Sequence, residues 1–244
     1  CWGSQPSAPP DSVNGTNGTV TAIAPAHYHS CAIQAGTGNV VCWGGQGYGQ
    51  ASPPASVDGT GSGTASAIAA GRHHSCAIQA GTGNVACWGI SPPAPTLVDG
   101  TTGTASAIAA GFSHSCAIQA GSGSVVCWGG PSFGYGETSP PASVDEGTSI
   151  AIAAGGSLTA AHSCAILAGA GNVVCWGSDL NGQASPPASV GGHGGAASAI
   201  AAGGNHSCAI QDGTNNVVCW GLSGVTPEEV DGTFGTASAI AAGG

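Results

Sequence analysis

Short apolar segments bounded by glycine recur along the chain, and none of them repeats its apolar residues at the 3.6-residue period of a helix. A complete unit reads Ser-Ala-Ile-Ala-Ala-Gly, a variable loop, His-Ser-Cys-Ala-Ile-Gln, a glycine-rich turn and Asn-Val-Val-Cys-Trp-Gly, followed by a polar stretch that often contains Ser-Pro-Pro-Ala-Ser-Val. Apolar segments of 4 to 6 residues between turn residues are typical of strands. The pattern therefore predicts three or four short strands in each unit and no helix.

The glycine-rich turn has the chemistry of a β-hairpin connection. The residues Ala-Gly-Thr-Gly separate Gln34 from Asn39, and glycine tolerates the positive φ that tight connections need. The Ala-Ile-Ala-Ala-Gly segment carries very small side chains, as expected for a strand crowded against a central axis. The tryptophan of each unit supplies the bulk that fills the space between neighbouring sheets. We therefore expect an all-β fold of short antiparallel strands.

Tryptophan marks the repeat, because Cys-Trp-Gly recurs at intervals of 40 to 48 residues. The tryptophans are Trp2, Trp43, Trp88, Trp128, Trp176 and Trp220. A period of this size corresponds to one supersecondary unit per repeat. We expect a single domain over residues 1–244, with repeats at approximately 1–19 (partial), 20–64, 65–104, 105–149, 150–196, 197–236 and 237–244 (partial).

The repeats resemble those of the regulator of chromosome condensation superfamily, whose members fold as β-propellers, usually of seven blades. The likeness lies in Ile68-Ala-Ala-Gly-Arg-His-His-Ser-Cys-Ala-Ile, in Val85-Ala-Cys-Trp-Gly and in their counterparts in the other repeats. The family's Asn-x-x-Gly-Gln continuation is echoed by Asn181-Gly-Gln and by Gly49-Gln50, whereas the repeats after Trp88 and Trp220 depart from it. The resemblance implies a β-propeller of short blades. It leaves the function open, because the family includes a GTPase exchange factor and secreted β-lactamase inhibitors.

Five repeats are complete, and a sixth is split between the two ends of the chain. Residues 237–244 are expected to form the first strand of this blade, and Cys1-Trp2-Gly3 its third strand. The His-Ser-Cys strand and its hairpin turn are missing from the split repeat. Either the natural chain extends further, or a neighbouring molecule supplies the strand.

Ten of the 11 cysteines form five pairs with one constant separation, and each pair lies on the two strands of one hairpin. The pairs are Cys31/Cys42, Cys76/Cys87, Cys116/Cys127, Cys164/Cys175 and Cys208/Cys219. We expect five disulfides, each stabilising its blade by roughly 3 kcal/mol on the chain-entropy model, in an oxidising compartment. A metal site of Cys and nearby His is the alternative, but the spacing lacks Cys-x-x-Cys knuckles. Cys1 is expected to be free or bonded to another segment or chain.

The charge balance excludes several classes of partner. Lys+Arg is 1, Asp+Glu is 11 and charged residues make up 5% of the chain, so the basic patch that nucleic acids require is missing. No apolar stretch is long enough to span a membrane. The scarcity of charge indicates a surface that is covered by glycans or by an assembly, and both point outside the cell.

A histidine and a serine recur side by side at the start of the second strand. The histidines are His29, His74, His114, His162 and His206, and the serines are Ser30, Ser75, Ser115, Ser163 and Ser207. We interpret each histidine as a structural residue that hydrogen-bonds a neighbouring backbone loop, with a metal ring as the alternative. Neighbouring strand residues point to opposite faces, so the two cannot form a catalytic pair within one strand. The recurring Asp-Gly pairs indicate turns, with weak Ca²⁺ binding as an alternative and no other cofactor expected.

The loops that vary between repeats are the candidates for specificity, because a rigid scaffold displays its function there. One set precedes His-Ser-Cys and the other follows Trp-Gly. The candidate binding residues in these loops are Tyr28, Tyr48, Arg72, Phe112, Phe133 and Tyr135. The alternative is that isolated exposed aromatic residues carry no function.

Two sets of residues are candidates for glycan attachment. Asn14, Asn17 and Asn205 lie in Asn-x-Ser/Thr acceptor patterns. The prolines of the recurring Ser-Pro-Pro motif look like the hydroxyproline-linked sites of algal and plant wall glycoproteins, or else form rigid extended connections. These prolines are Pro53, Pro54, Pro92, Pro93, Pro140, Pro141, Pro186 and Pro187.

The sequence therefore predicts a non-enzymatic, extracellular structural or adhesive glycoprotein module that assembles with copies of itself or with other surface proteins. The alternative is a secreted ligand-binding propeller, either lectin-like or a protein inhibitor, that uses the variable-loop aromatic residues. Neither a nucleophile with its base nor a pair of carboxylates can be assembled from the recurring residues, which is the reason for expecting no enzyme.

Overall fold

The computed structural model describes residues 8–130, 134–145, 147–192, 195–222, 230–233 and 235–243. Within these residues the chain forms five antiparallel sheets of three strands each, in which sequence order and spatial order agree. The sheets consist of β1 (Val20–Pro25), β2 (His29–Gln34) and β3 (Val40–Gly44); β4 (Ala65–Ala70), β5 (His74–Gln79) and β6 (Val85–Gly89); β7 (Ala105–Ala110), β8 (His114–Gln119) and β9 (Val125–Gly129); β10 (Ser149–Gly156), β11 (Ala161–Leu167) and β12 (Val173–Gly177); and β13 (Ala197–Ala202), β14 (His206–Gln211) and β15 (Val217–Gly221).

Each sheet corresponds to one sequence repeat and is one blade. The small-residue segment is the first strand, His-Ser-Cys-Ala-Ile the second and Val-x-Cys-Trp-Gly the third. The connection after β2 is the expected hairpin turn, in which Gly36 and Gly38 have φ of 82° and 75°. These observations confirm the all-β prediction and the β-propeller of short antiparallel blades.

The register of each hairpin places its two cysteines directly opposite each other, as Cys31 and Cys42 show in the first sheet. The Cα atoms of the bonded pairs are 4.0–4.1 Å apart, close to the spacing of a non-hydrogen-bonded pair of antiparallel strands. The disulfides with these distances are Cys31–Cys42, Cys76–Cys87, Cys164–Cys175 and Cys208–Cys219. Cys116 and Cys127 are disulfide-bonded as well, so all ten of these cysteines are in disulfides and four of the predicted pairings are confirmed. Cys1 lies outside the described residues.

The chain forms two compact units, one of Cys1–Ala120 with Trp128–Gly130 and the other of Gly121–Cys127 with Pro131–Gly244. In the first unit, the core between consecutive sheets joins residues of the β2–β3 hairpin to the next sheet and to the indole of Trp88. In the second unit, Trp220 packs in the same way against the hairpin of β11 and β12. Trp88 and Trp220 are therefore contributed by the following sheet and fill the space in front of the preceding one, as the pattern of large and small residues predicts.

One short helix, α1 (Ala142–Asp145), interrupts the all-strand pattern. The carbonyl of Pro141 accepts hydrogen bonds from Val144 N at 2.8 Å and from Asp145 N at 3.0 Å. The same Pro-Pro-Ala-Ser-Val segment forms a turn in the first repeat, where Val57 N donates to the Pro54 carbonyl at 2.9 Å. The prediction of no helix is wrong for this one turn, although Asp58 N donates to the same Pro54 carbonyl at 3.1 Å in the first repeat and that segment is a turn.

Residues 237–244 were expected to form the first strand of the split blade, and the described part of this segment, residues 237–243, is not a strand. Ala237 N donates to the Asn215 carbonyl at 2.9 Å, and Ala237 and Ile240 pack against Cys208, Ile210 and Val217. The apolar contacts of a first strand are thus present, but a strand also needs a hydrogen-bonded neighbour, and the described residues supply none. The expected third strand at Cys1-Trp2-Gly3 lies outside the described residues.

Candidate functional site

The variable loops of the first unit emerge from one end of their sheets. In an antiparallel three-stranded sheet, the end of the first strand, the start of the second and the end of the third lie at the same edge. The loops at residues 26–28, 71–73 and 111–113 connect first strands to second strands, and residues 45–50 follow the third strand β3. The topology therefore collects the two predicted sets of variable loops at one edge.

Side chains from these four loops form one cluster, which we call the aromatic cluster: His27, Tyr28, Tyr48, Arg72, His73 and Phe112. The ring of Tyr28 stacks on His73 with centroids 4.9 Å apart and an interplanar angle of 19°. His27 meets Tyr28 edge-on at 4.5 Å, and Tyr48 meets His73 edge-on at 4.8 Å. Offset and edge-on contacts at these distances are favourable for aromatic rings.

Arg72, the one Lys or Arg of the chain, is held between two of these rings. Its guanidinium carbon lies 5.5 Å from the ring centroid of Tyr28 and 4.6 Å from that of Phe112, within the range of cation–π attraction. Arg72 Nη2 donates a hydrogen bond to Tyr28 Oη at 3.2 Å, and its backbone N–H donates to the Phe112 carbonyl at 3.2 Å. The single cation is thus fixed by aromatic residues from two other loops.

The cluster also contains buried polar atoms that have no hydrogen-bond partner among the described residues. These atoms are Arg72 Nε and His73 Nδ1. Burial, followed by the nearby charges of Arg72 and His27, lowers the pKa of His73. His73 is therefore neutral at neutral pH, and Arg72 provides the positive charge of the site.

The structure brings four of the six predicted binding residues together, namely Tyr28, Tyr48, Arg72 and Phe112. Tyr135 lies in the second compact unit, and Phe133 lies outside the described residues. Sequence reasoning identified the loops that hold His27 and His73 but did not single out these two imidazoles. Their position beside Tyr28 and Arg72 in the variable loops was the signal that could have identified them.

A second polar arrangement joins consecutive sheets inside the core. His29 Nε2 lies 2.6 Å from Ser75 Oγ, His74 Nε2 lies 2.9 Å from Ser115 Oγ, and His162 Nε2 lies 2.8 Å from Ser207 Oγ. Ser75 Oγ in turn donates to the Gln50 carbonyl at 3.3 Å. Since the hydroxyl proton is used in this way, the imidazole donates from Nε2 and the serine oxygen accepts.

The recurring histidines have a partner that the prediction of a backbone bond did not include: the imidazoles of His29, His74 and His162 pair with the serine of the following sheet. Ser75 and Ser207 donate in turn to the loop carbonyls of Gln50 and Gln183. The His74 imidazole also has a hydrogen bond with the backbone of His114. Burial lowers the pKa of His29, His74 and His162 to about 4, with smaller contributions from nearby groups. These imidazoles are neutral at physiological pH, and since His and Ser are both buried, the pair serves to connect the blades.

The same loop carbonyl also accepts a hydrogen bond from the tryptophan of the following sheet. Trp88 Nε1 donates to the Gln50 carbonyl at 2.8 Å, Trp176 Nε1 to the Glu137 carbonyl at 2.9 Å and Trp220 Nε1 to the Gln183 carbonyl at 2.9 Å. Trp128 Nε1 is buried and has no partner among the described residues. The Pro-rich segment after Trp88 lacks the Gly-Gln pair that supplies the carbonyl in the first and fourth repeats.

Aspartates before glycine form turns, as their sequence context indicates. Thr60 N, Thr101 N and Thr233 N donate at 2.8 Å to the carboxylates of Asp58, Asp99 and Asp231. These hydrogen bonds from threonine lower the pKa of all three aspartates. Within the described ranges, no group of three or more His, Cys, Asp or Glu residues could hold a metal ion.

The glycan candidates differ in their surroundings. Asn14 and Asn17 are exposed, and Asn14 Oδ1 accepts a hydrogen bond from Thr16 N at 2.8 Å. Asn205 is partly buried, and its Oδ1 accepts from Ser157 Oγ at 3.2 Å. Of the Ser-Pro-Pro prolines, Pro92 and Pro93 are exposed and the other six are partly buried. Glycosylation at all of these residues stays a prediction.

Comparison with known proteins supports the repeat assignment. Residues 105–134 match the model of the Regulator of chromosome condensation (RCC1) repeat. The ectodomain of the receptor kinase CR4 from Physcomitrella patens is similar, with a TM-score of 0.73 and 26% identity over 93% of this chain and 57% of that chain. The chain therefore spans little more than half of that ectodomain. No curated protein matches the chain.

Two further solved structures share the fold. The CRINKLY WD40 ectodomain of the Arabidopsis thaliana receptor kinase ACR4 has a TM-score of 0.71 and 24% identity over 94% of this chain and 76% of that chain. Prp20p from Saccharomyces cerevisiae has a TM-score of 0.68 and 17% identity over 92% of this chain and 63% of that chain. In the part of the chain that the structure covers, no helix has the length and apolarity of a membrane span. The Cys-Trp-Gly repeats, the five disulfide-bonded blades and these similarities together show a β-propeller fold similar to that of RCC1-like proteins, with one RCC1 repeat matched at residues 105–134.

Proposed function

We propose that the chain is a non-enzymatic extracellular binding module in which the stapled blades present the aromatic cluster to a ligand. The observation that carries this proposal is that side chains from four variable loops converge in one cluster. Tyrosine and arginine are enriched among the residues that dominate binding energy, because each offers a large contact area together with hydrogen bonds. The cluster combines tyrosine and arginine on loops that are attached to disulfide-bonded sheets.

Two observations support the extracellular assignment. A disulfide in every complete hairpin requires an oxidising compartment, and the similar plant structures are receptor ectodomains. The yeast Prp20p structure is described together with its binding to Gsp1p and histones, so a propeller of this fold serves protein recognition in that case. The non-enzymatic assignment rests on the buried His–Ser pairs, which connect blades instead of facing a substrate.

The test is to measure ligand capture by the wild type and by cluster variants. The probes are a panel of purified extracellular polysaccharides and a panel of capped peptides of mixed composition, passed over the immobilised protein. We expect Tyr48→Ala and Phe112→Ala to weaken capture at least about tenfold, the loss typical of a binding hot spot. Leu180→Ser is the matched control, since Leu180 is an exposed loop residue of the second unit. Capture that is unchanged in both cluster variants would contradict the proposal.

A structural or adhesive role in an extracellular assembly is the second candidate. It is favoured by the composition, because only 5% of the residues are charged, and such a surface favours association over solvation. Sedimentation velocity over a hundredfold range of concentration tests this role. A monomer at every concentration, with and without attached glycans, argues against it.

A further inference from the structure

We propose that residues 237–243 form an acceptor edge, at which an extended segment of another protein chain adds as the second strand of a sheet. The acceptor edge packs against the sheet of β13, β14 and β15. Its residues are not those of the aromatic cluster, so the proposal goes beyond the binding function proposed above. It is carried by the contacts of residues 237–243, by their exposure and by the imidazole of His206.

Residues 237–243 make the contacts of a first strand with the sheet before them. Ala237 and Ile240 pack against the β14–β15 hairpin, as Ala65 and Ile68 pack against the β2–β3 hairpin. First strands also share a hydrogen bond from their first N–H to a carbonyl of the preceding hairpin turn. These bonds join Ala65 N to Gly38 O, Ala105 N to Gly83 O, Ser149 N to Gly123 O, Ala197 N to Gly171 O and Ala237 N to Asn215 O, at 2.8–2.9 Å. The acceptor edge thus lies where a first strand lies.

No second strand covers the acceptor edge among the described residues. Ala241 and Gly243 are exposed. Their counterparts in the first strands of the second to fifth blades are buried, namely Ala69, Ala109, Ala153 and Ala201 and the glycines Gly71, Gly111, Gly155 and Gly203. Within the described part of the chain, residues 238–242 make no backbone–backbone hydrogen bond. Unpaired N–H and C=O groups of this kind are a template for an added strand, to which main-chain hydrogen bonds give affinity.

The imidazole of His206 indicates one side chain that the added strand supplies. Between complete blades, the histidine of one sheet pairs with the serine of the next, as His162 Nε2 does with Ser207 Oγ at 2.8 Å. His206 is less buried than the other four recurring histidines. Its imidazole has no hydrogen bond to any described residue. A serine at the corresponding position of the added strand completes the pair.

The packing between complete blades limits the size of another residue of the added strand. The alanine of His-Ser-Cys-Ala-Ile is 0% exposed in every complete blade, at Ala32, Ala77, Ala117, Ala165 and Ala209. Ala77 and Ala209 lie in the cores that join their sheets to the preceding ones. A larger side chain would overpack this position. The added strand therefore needs a small residue two places after its serine.

The register of complete sheets shows which N–H groups of the acceptor edge face the added strand. Gly71 N donates to the His74 carbonyl at 2.9 Å, between the first and second strands of the second blade. Hydrogen-bonded pairs alternate along antiparallel strands, so the N–H two residues before Gly71 also faces the second strand and the N–H one residue before it points away. Gly243 corresponds to Gly71. The N–H of Ala241 therefore faces an added strand, and that of Ala242 does not.

The test is a chemical-shift titration of the full chain with the capped peptide Ac-Asn-His-Ser-Val-Ala-Ile-Gln-NH2. This peptide has the second-strand pattern, with valine in place of cysteine so that it cannot exchange with the disulfides. We expect shifts at residues 238–242 and binding at least about tenfold tighter than that of a peptide with the same residues in scrambled order. Leucine in place of the peptide's alanine should weaken binding about tenfold. Alanine in place of its serine should weaken binding about fivefold.

Three variants of the chain test the register and the serine. Ala241→Pro removes an N–H that faces the added strand, so it should abolish peptide binding. Ala242→Pro is the matched control and should bind the peptide as the wild type does. His206→Ala should bind the serine peptide and its alanine counterpart equally, because the partner of the serine is gone. Unchanged thermal unfolding of each variant shows that the losses arise at the acceptor edge.

Equal binding of the ordered and scrambled peptides, or wild-type binding by Ala241→Pro, would overturn the proposal. Self-association of the wild type that Ala241→Pro abolishes, without any effect of the peptide, would also overturn it, because a second copy would then cover the edge. Tyr48→Ala and Phe112→Ala should leave peptide binding unchanged. A failure of the aromatic cluster as a binding site is therefore distinguishable from a failure of the acceptor edge.

Discussion

Trp88 and Trp128 provide a matched test of the hydrogen bond that each blade makes to the preceding loop. Both indoles are almost fully buried, at 8% and 7% exposure, and both belong to the first compact unit. Trp88 Nε1 donates to the Gln50 carbonyl at 2.8 Å, whereas Trp128 Nε1 has no partner among the described residues. Replacing each by phenylalanine removes a similar apolar area and leaves a similar void, so those contributions to the free energy of unfolding nearly cancel in the comparison.

The remaining difference comes from the hydrogen bond. Trp88→Phe loses a buried hydrogen bond worth about 1 kcal/mol, while Trp128→Phe removes a buried donor whose desolvation costs about 1–3 kcal/mol. We therefore expect Trp88→Phe to destabilise the chain by about 2 kcal/mol more than Trp128→Phe. In a chain of this size, that difference corresponds to roughly 4–8 °C in Tm. Urea unfolding with the disulfides intact, followed by circular dichroism, measures it. Equal losses in the two variants, or a larger loss in Trp128→Phe, would refute the reasoning.

Two further predictions follow from buried groups of the core. The pKa of His29, His74 and His162 is lowered from 6.5 to about 4. Between pH 6.5 and 4 the unfolded chain therefore binds protons that the folded chain excludes. The free energy of unfolding should fall in that window by about 3 kcal/mol per histidine and level off below it. Urea unfolding from pH 7.5 to 4 tests this. We expect a shallower slope for His162→Gln, and a flat wild-type profile would contradict the prediction. The second prediction concerns Glu137, which occupies the place of Gln50 and Gln183 and whose buried Oε1 has no partner among the described residues. Glu137→Gln should therefore raise the free energy of unfolding by about 1 kcal/mol. A loss of stability in the same assay would show that the carboxylate has a favourable role.

Features that depend on one repeat alone could be predicted from the sequence. Strand boundaries follow from the glycines, and the disulfides follow from the constant spacing of cysteines across a hairpin, because opposite positions on two short strands are fixed by the turn between them. The turn at Asp58 is equally local, since its carboxylate bonds Thr60 two residues away. In each case the interacting residues are close enough in sequence for spacing to determine geometry.

Features that depend on the packing of one repeat on the next could not be predicted from the sequence, or could be predicted only in part. The alternation of side chains along a strand rules out a bond between His29 and Ser30, but it does not show that His29 reaches Ser75 of the following sheet. The variable loops could be identified as a set, yet the convergence of Tyr28, Arg72 and Phe112 depends on the spacing between blades. Residues 237–243 show the same dependence, since their sequence is that of a strand and no strand lies beside them among the described residues.

Hydrogen bonds at the loop that contains Gln50 connect the recurring core residues to the aromatic cluster. The Gln50 carbonyl accepts hydrogen bonds from Trp88 Nε1 at 2.8 Å and from Ser75 Oγ at 3.3 Å, and its side-chain oxygen accepts from Tyr48 N at 2.9 Å. The residues that hold one blade against the next therefore also fix the loop that contains Tyr48, whose ring contacts His73. A site built in this way needs no ordering of its loop when a ligand arrives, so less conformational entropy is lost on binding. The recurring residues thus hold the loops in place, and under the proposed binding function the residues that differ between repeats would determine the ligand.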